Sequence, residues 1–115
     1  MVTPVRKLVL LIDGDRVSRR ELLEVIEEFN VSVEYPTDLL VIQQVLRARR
    51  HDLIVINLDS VSLPMIFDEL KKLTAPIIEI TSHLGPSVIT GAENHFVRPY
   101  RRDRLLDRIR RLLSL

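Results

Sequence analysis

Cysteine and tryptophan are both absent from this chain. Without thiols there is no disulfide framework and no thiolate metal site, which suits a reducing compartment. Only 3 glycines and 6 prolines punctuate the 115 residues, too few for a long flexible linker or a low-complexity tract. Long apolar runs are also missing. Leu8–Ile12 is among the longest, far short of the roughly 20 residues that a membrane-spanning helix needs. The N-terminus has no signal-peptide pattern, so the expected location is the cytoplasm. Neither sign of charge dominates: the formal net charge is +1, and no global field draws the chain to nucleic acid or a membrane. No Gly-rich phosphate-cradling loop follows the first apolar run, which disfavours nucleotide or flavin binding.

Hydrophobic residues make up 46% and charged residues 29%, an ordinary globular balance for a single domain over 1–115. Two periods alternate along it. Lys7–Ile12 is a continuous apolar run, as expected of a strand covered on both faces. Leu22, Val25, Ile26 and Phe29 then form a helical stripe. Val31–Tyr35 alternates as a strand, and Pro36-Thr37-Asp38 opens a helix running to about Arg50. Asp52–Leu58 is the third strand, and roughly Met65–Leu73 a third helix behind Pro64. Pro76–Thr81 is the fourth strand. His83–Ala92, broken by Gly85-Pro86, has room for about two helical turns. His95–Val97 is a fifth strand, and Asp103–Leu113 a last helix with Leu105, Leu106, Ile109, Leu112 and Leu113 on one stripe.

Strand and helix thus alternate five times, which predicts an α/β fold: a five-stranded parallel sheet with helices on both faces. Right-handed crossovers and this length favour the flavodoxin-like doubly wound order 2-1-3-4-5. Sites in such sheets lie beyond the carboxyl ends of the strands. The residues to read there are Asp13-Gly14-Asp15, Asn57–Asp59, Thr81-Ser82 and Arg98-Pro99.

Those four segments, in that order, resemble the receiver (CheY-like) domain of bacterial two-component response regulators, over nearly the whole chain from Lys7 to Leu113. LIDGDRVSRR (11–20) resembles the family's acidic segment after the first strand. HDLIVINL (51–58) resembles the strand that delivers the phosphate-accepting acid. PIIEITS (76–82) carries the Thr/Ser position at Thr81, and GAENHFVRPY (91–100) is similar to the segment that brings a Lys in front of a Pro. The resemblance implies an Asp nucleophile, an acidic cluster that binds Mg²⁺, and a hydroxyl that contacts the phosphoryl group. Here the sequence departs from the family. With Asp52 fixing the register, the acceptor position falls on Asn57, whose amide has no anionic oxygen to attack with. Asp13 matches the first acid, Gly14 stands where the second would be, and Asp15 follows. Arg98 replaces the Lys; it keeps the charge but is planar and prefers bidentate pairing. The chain is accordingly identified as a degenerate pseudo-receiver with no metal, no cofactor and no catalytic residue. Asp13 and Asp15 are a remnant acidic pocket, and Thr81 and Arg98 remnant phosphate-contact positions. Asp59 is the alternative acceptor. A direct Arg98–Asp13 ion pair is expected to fill the space a metal would take.

Other readings stand beside these. Asn57 can simply cap a turn, and Asp13 and Asp15 can be N-caps. His51, His83 and His95 share no metal-ligand spacing and read as surface or strand-edge residues. No Ser-His-Asp set can be assembled. Of 17 basic residues 14 are Arg, and several crowd the tail after Arg98. A solvated helix face, with Asp103 and Asp107 adding local pairs, is the plain reading of that tail. Direct nucleic-acid binding is disfavoured, because no aromatics interleave the arginines. The tail is also a candidate interface, at Arg101, Arg104, Arg108 and Arg111, for a protein partner, a cognate output domain or a second copy through the last strand and helix. The expected function is phosphorylation-independent signalling or transcriptional control through protein contact, in a domain of a kind that commonly precedes an output domain. A ligand sensor using the vacated acidic pocket is the alternative, and an enzyme ranks last.

Overall fold

The computed structural model describes residues 6–115; the first five residues of the expected domain lie outside it. The three apolar runs become the centre of a sheet: β1 (Leu8–Ile12), β3 (Leu53–Asn57) and β4 (Ile77–Thr81). The shorter β2 (Ser32–Glu34) and β5 (His95–Val97) lie at its edges. All pairings are parallel, in the order β2-β1-β3-β4-β5, which is the doubly wound order expected.

Side chains alternate between two cores because successive residues of a strand point to opposite faces. Val9, Leu11, Leu53, Val55, Ile78 and Ile80 pack against α1 (Arg16–Ile26) and α4 (Arg102–Leu113). Leu10, Ile12, Ile54, Ile56 and Ile77 pack against α2 (Leu39–Ala48) and α3 (Leu63–Lys71). Burying one such side chain contributes about 1.5–3 kcal/mol, so the two layers supply most of the driving force. Asp38 caps α2 through the N–H groups of Leu40 and Val41, and Pro64 sits in the first turn of α3, where its missing N–H costs nothing. The stripe that reached Phe29 outruns its helix: α1 ends at Ile26, and Phe29 packs on the core from the turn beyond.

A clamp at the far end of the sheet sets the register. The Leu8 N–H donates to the Asp52 carboxylate at 2.7 Å, and the Asp52 N–H donates to the Leu8 carbonyl at 2.8 Å. With Ile12 opposite Ile56, the next residues along, Asp13 and Asn57, arrive side by side at the carboxyl ends of the strands.

One expected element is missing. Among the described residues there are four α-helices, not five, and β4 reaches β5 through an irregular loop with a single 3₁₀ turn at Ala92–Asn94. The cause is Glu79. It sits mid-strand with zero exposure, on the α2–α3 side of the sheet. Its carboxylate accepts the consecutive N–H groups of Val88, Ile89 and Thr90 at 3.1, 2.7 and 2.7 Å, and the Ser87 hydroxyl at 2.8 Å. Those N–H groups would otherwise serve helical carbonyls. Burial pushes the Glu79 carboxyl up, but the backbone donors together outweigh it and hold the group below its usual range.

One of the histidines departs from expectation, while a second is the strand-edge residue expected. His51 is buried, its Nε2 2.7 Å from Glu34, which Arg50 grips as well. His95 faces Glu79 across the β4–β5 pairing, with Nδ1 2.9 Å from the carboxylate. Only His83 lies in the open.

Candidate functional site at the strand ends

Asp13, one residue beyond β1, is 1% exposed and has its charge fully solvated by protein. Its Oδ1 accepts the Asp15 N–H at 2.8 Å, the Ser60 hydroxyl at 2.8 Å and the Asn57 amide at 3.0 Å, and its Oδ2 accepts the Ser18 hydroxyl at 2.5 Å. A buried carboxylate with this many donors needs no counter-ion at its oxygens.

Asn57 closes β3 at 2% exposure and uses both ends of its amide. Its Nδ2 donates to Asp13 and, at 3.1 Å, to Ser18 Oγ, while its Oδ1 accepts the Asp59 N–H at 3.1 Å and Arg98 Nη1 at 3.4 Å. The plain reading of Asn57 is present in the structure: it caps the turn Leu58–Ser60 from the carboxyl end of β3. An Asp there would set a second carboxylate about 3 Å from that of Asp13, so a neutral donor is what this neighbourhood requires.

The turn Leu58–Ser60 lies as a strap over the strand ends. On one side Ser60 reaches Asp13 and accepts the Gly14 N–H at 2.9 Å. A Cβ on residue 14 would sit 2.6 Å from the Ser60 carbonyl oxygen, so glycine is what lets the strap down. On the other side Asp59 accepts the Thr81 hydroxyl at 2.7 Å and the Ser82 N–H at 2.8 Å, with Arg98 Nη1 and His83 Nε2 both 3.8 Å away. Burial pushes the Asp59 carboxyl up, but the bonds from Thr81 and Ser82 outweigh it and hold the group below its usual range.

Arg98 does not pair with Asp13 directly. Its Nη2 donates to Ser18 Oγ at 2.5 Å, and Ser18 hands the contact on to Asp13. The nearest carboxylate recorded for Arg98 is that of Asp59. Ser18 has already saturated the open side of Asp13, so the guanidinium bonds to the hydroxyl and turns its free edge toward the strap. The Arg98–Pro99 peptide is cis. Asp15 turns away from the cluster and caps α1 through the N–H groups of Val17 and Ser18, at 2.9 and 3.1 Å.

These residues bring together Asp13, Asn57, Asp59, Thr81 and Arg98, and leave Asp15 out. The donor set does not fit a divalent metal, which wants several free oxygen ligands around one point. Asp13 is enclosed by hydroxyl and N–H donors, Asp59 is bonded to Thr81 and Ser82, and Asn57 turns its NH₂ inward. Among the described residues no group of three or more His, Cys, Asp or Glu side chains is placed to hold a metal. The space left beside Asp13, Gly14 and Ser60 amounts to about 140 Å³, below the roughly 300–1,000 Å³ of small-molecule pockets.

Sequence reasoning passed over two members. Ser18 bridges Asp13, Asn57 and Arg98, and the signal was its place three residues after an N-cap, on the inner edge of the first helical turn. Ser60 had no signal beyond lying one residue after Asp59. The candidate interface arginines lie on α4 or just before it and are partly engaged: Arg101 with Asp103 at 2.7 Å, Arg108 with Glu93 and Arg111 with Asp107 at 3.1 Å each. The expected Asp103 and Asp107 pairs are thus present, and of the four arginines only Arg104 has no ion pair among the described residues. No described helix is long and apolar enough to cross a membrane.

No family model and no curated protein matches the sequence. Solved structures do match. A signal receiver domain of a two-component histidine kinase from Clostridium thermocellum has a TM-score of 0.77 at 16% identity, covering 96% of this chain and 100% of that one. The signal receiver domain of an HD domain-containing protein from Pseudomonas fluorescens Pf-5 follows at 0.75 and 19%, with 96% of each chain covered. The chemotaxis protein CheY4 of Vibrio cholerae gives 0.71 and 18%, over 95% of this chain and 100% of that one. At such identities the likeness speaks to architecture, and the architecture of this chain is that of the CheY-like receiver domains.

Proposed function

We propose that this chain is a receiver-like signalling module that works through contact with other proteins and is not switched by phosphorylation. Catalysis has no part in the reading, and the cytoplasm is where it would act. The observation that carries it is internal saturation of the strand ends. The carboxamide of Asn57 replaces a nucleophilic oxygen and donates to Asp13. Asp59 meanwhile holds the Thr81 hydroxyl and the Ser82 N–H, and that hydroxyl is the group the receiver resemblance assigns to an incoming phosphoryl. An anion that arrived there would meet a carboxylate already bonded to those donors, with the Arg98 guanidinium, 3.8 Å away, already shared with it. The pocket is filled by the protein's own side chains, so the arrangement of Thr81 and Arg98 is constant and the output surface is always presented.

The test is incubation of the intact chain with acetyl phosphate and Mg²⁺, followed by intact-mass measurement. The reading expects an unchanged mass over a time in which a phosphorylatable receiver reacts. A gain of one phosphoryl group, mapped by peptide analysis to Asp13 or Asp59, refutes it.

A further inference from the structure

The outer edge of β5 and the flank of α4 enclose a groove of about 620 Å³. Among its lining residues are Val97 and Phe96 from the strand, and Arg104, Arg108 and Arg111 from the helix. Four arginines face it against two carboxylates, Glu93 and Asp107. Arg104 is exposed and has no ion pair among the described residues, so its charge is free for a partner. The strand side is free as well. β5 is the terminal strand of the sheet and pairs only with β4. The Arg98 N–H donates to the Thr81 carbonyl at 2.8 Å, so alternation turns the main-chain N–H and carbonyl of Val97 toward the groove. An uncovered strand edge of this kind is a template for another extended chain.

We propose that this groove receives an extended acidic segment of a partner protein, added as a sixth strand beside β5 with its acids facing α4. The inference rests on the proposed function and specifies its partner. Strand geometry gives the recognition rule: acids at every second position fall on one face, opposite the arginines, while main-chain bonds to the Val97 edge fix the register. Nucleic acid fits less well. The aromatic pair in the groove, Phe96 and Tyr100, meets edge-to-face with centroids 6.0 Å apart at 79°, so each ring is engaged by the other and not laid out as a stacking platform. A second copy of the chain fits less well too. Its other edge strand, β2, has one acid, Glu34, and Arg50 and His51 already hold it.

Fluorescence anisotropy with the full chain tests this. The probe is a labelled seven-residue peptide of alternating Glu and Val, compared with its Lys–Val counterpart, with the Glu–Val peptide N-methylated along one edge, and with single-stranded DNA of equal charge. The expected result is saturable binding of the Glu–Val peptide alone. It should weaken roughly fivefold in the exposed variant Arg104→Glu, and further as salt is raised from about 0.05 to 0.3 M. N-methylation should abolish it, since main-chain bonds are lost while charge is kept. Failure of the Glu–Val peptide to bind, or equal binding of the Lys–Val peptide, overturns the site. Equal binding of the N-methylated peptide overturns strand addition, and tighter binding of DNA overturns the class of partner. None of these outcomes touches the phosphodonor test, so the two readings fail separately.

Discussion

Two carboxylates of this protein are almost fully buried: Asp13 at the end of β1 and Glu79 in the middle of β4, 1% and 0% exposed. They reach the same state by opposite means. Three of the four donors on Asp13 are side chains, from Ser18, Asn57 and Ser60. Three of the donors on Glu79 are consecutive backbone N–H groups, supplemented by Ser87 and with His95 alongside. A side-chain network can be retuned one residue at a time, and the Asp13 cluster is built mainly from such side chains. A backbone cradle is indifferent to the residues that build it. The Glu79 cradle therefore fixes the path of a loop, and that loop takes the place of a helix.

The sharpest way to break the comparison is at Glu79. In Glu79→Gln the amide presents an NH₂ where N–H donors converge, leaving buried groups unpaired, and the expected loss is about 3 kcal/mol in urea unfolding. The loosened region should be 87–90, seen as faster hydrogen exchange there than in β1 or β3. Wild-type stability should carry the same signature in acid. The folded-state pKa of Glu79 is depressed below the ordinary 4.5, so its contribution is complete above that value and is lost as pH falls through the lower folded-state pKa. Equal stability of the Gln variant, with unchanged exchange at 87–90, would show that the loop holds without the carboxylate.

Asn57→Asp probes the other cluster and should cost about 2 kcal/mol at neutral pH, because two carboxylates then share one small buried space. The sign separates it from the first case. The crowded pair has a raised pKa, so the deficit shrinks as pH falls and the pair takes up a proton. A deficit independent of pH would mean that lost packing, not charge, is responsible. The smallest effect belongs to Gly14→Ala. Its Cβ would press on the Ser60 carbonyl, lifting the strap at a cost of about 1 kcal/mol and shortening the lifetime of the Asp59–Thr81 bond. A neutral result in the melting temperature would show the strap to be loosely held.

The same contrast explains what could be read from the sequence. The sheet order followed from runs such as Leu53–Asn57 and from helical stripes such as that of α4, since periodicity reports burial directly. The strand-end positions of Asp13, Asn57, Thr81 and Arg98 followed from the fold. Their partners did not. The Arg98–Asp13 pair was expected from charge alone and is relayed by Ser18, because hydroxyl geometry decides which atom a guanidinium meets. The missing helix had a visible cue, a Glu inside PIIEIT, a charge where both faces of the strand are covered. The shortness of His83–Ala92 and its Gly85-Pro86 break pointed to a reduced helix, whereas the Glu79 cradle depends on backbone N–H groups, which every sequence contains. Likewise, the burial of His51 beside Glu34 and the contact of His95 with Glu79 depend on neighbours that only the folded sheet brings together.

The central claim is that the strand-end pocket is satisfied from within. An amide NMR titration of the intact chain with Mg²⁺ and then beryllofluoride, a mimic of the phosphoryl group, tests it most directly. The account predicts that Gly14, Asn57, Asp59 and Ser82 hold their positions through millimolar additions of both. Saturable shifts confined to those four amides would contradict it.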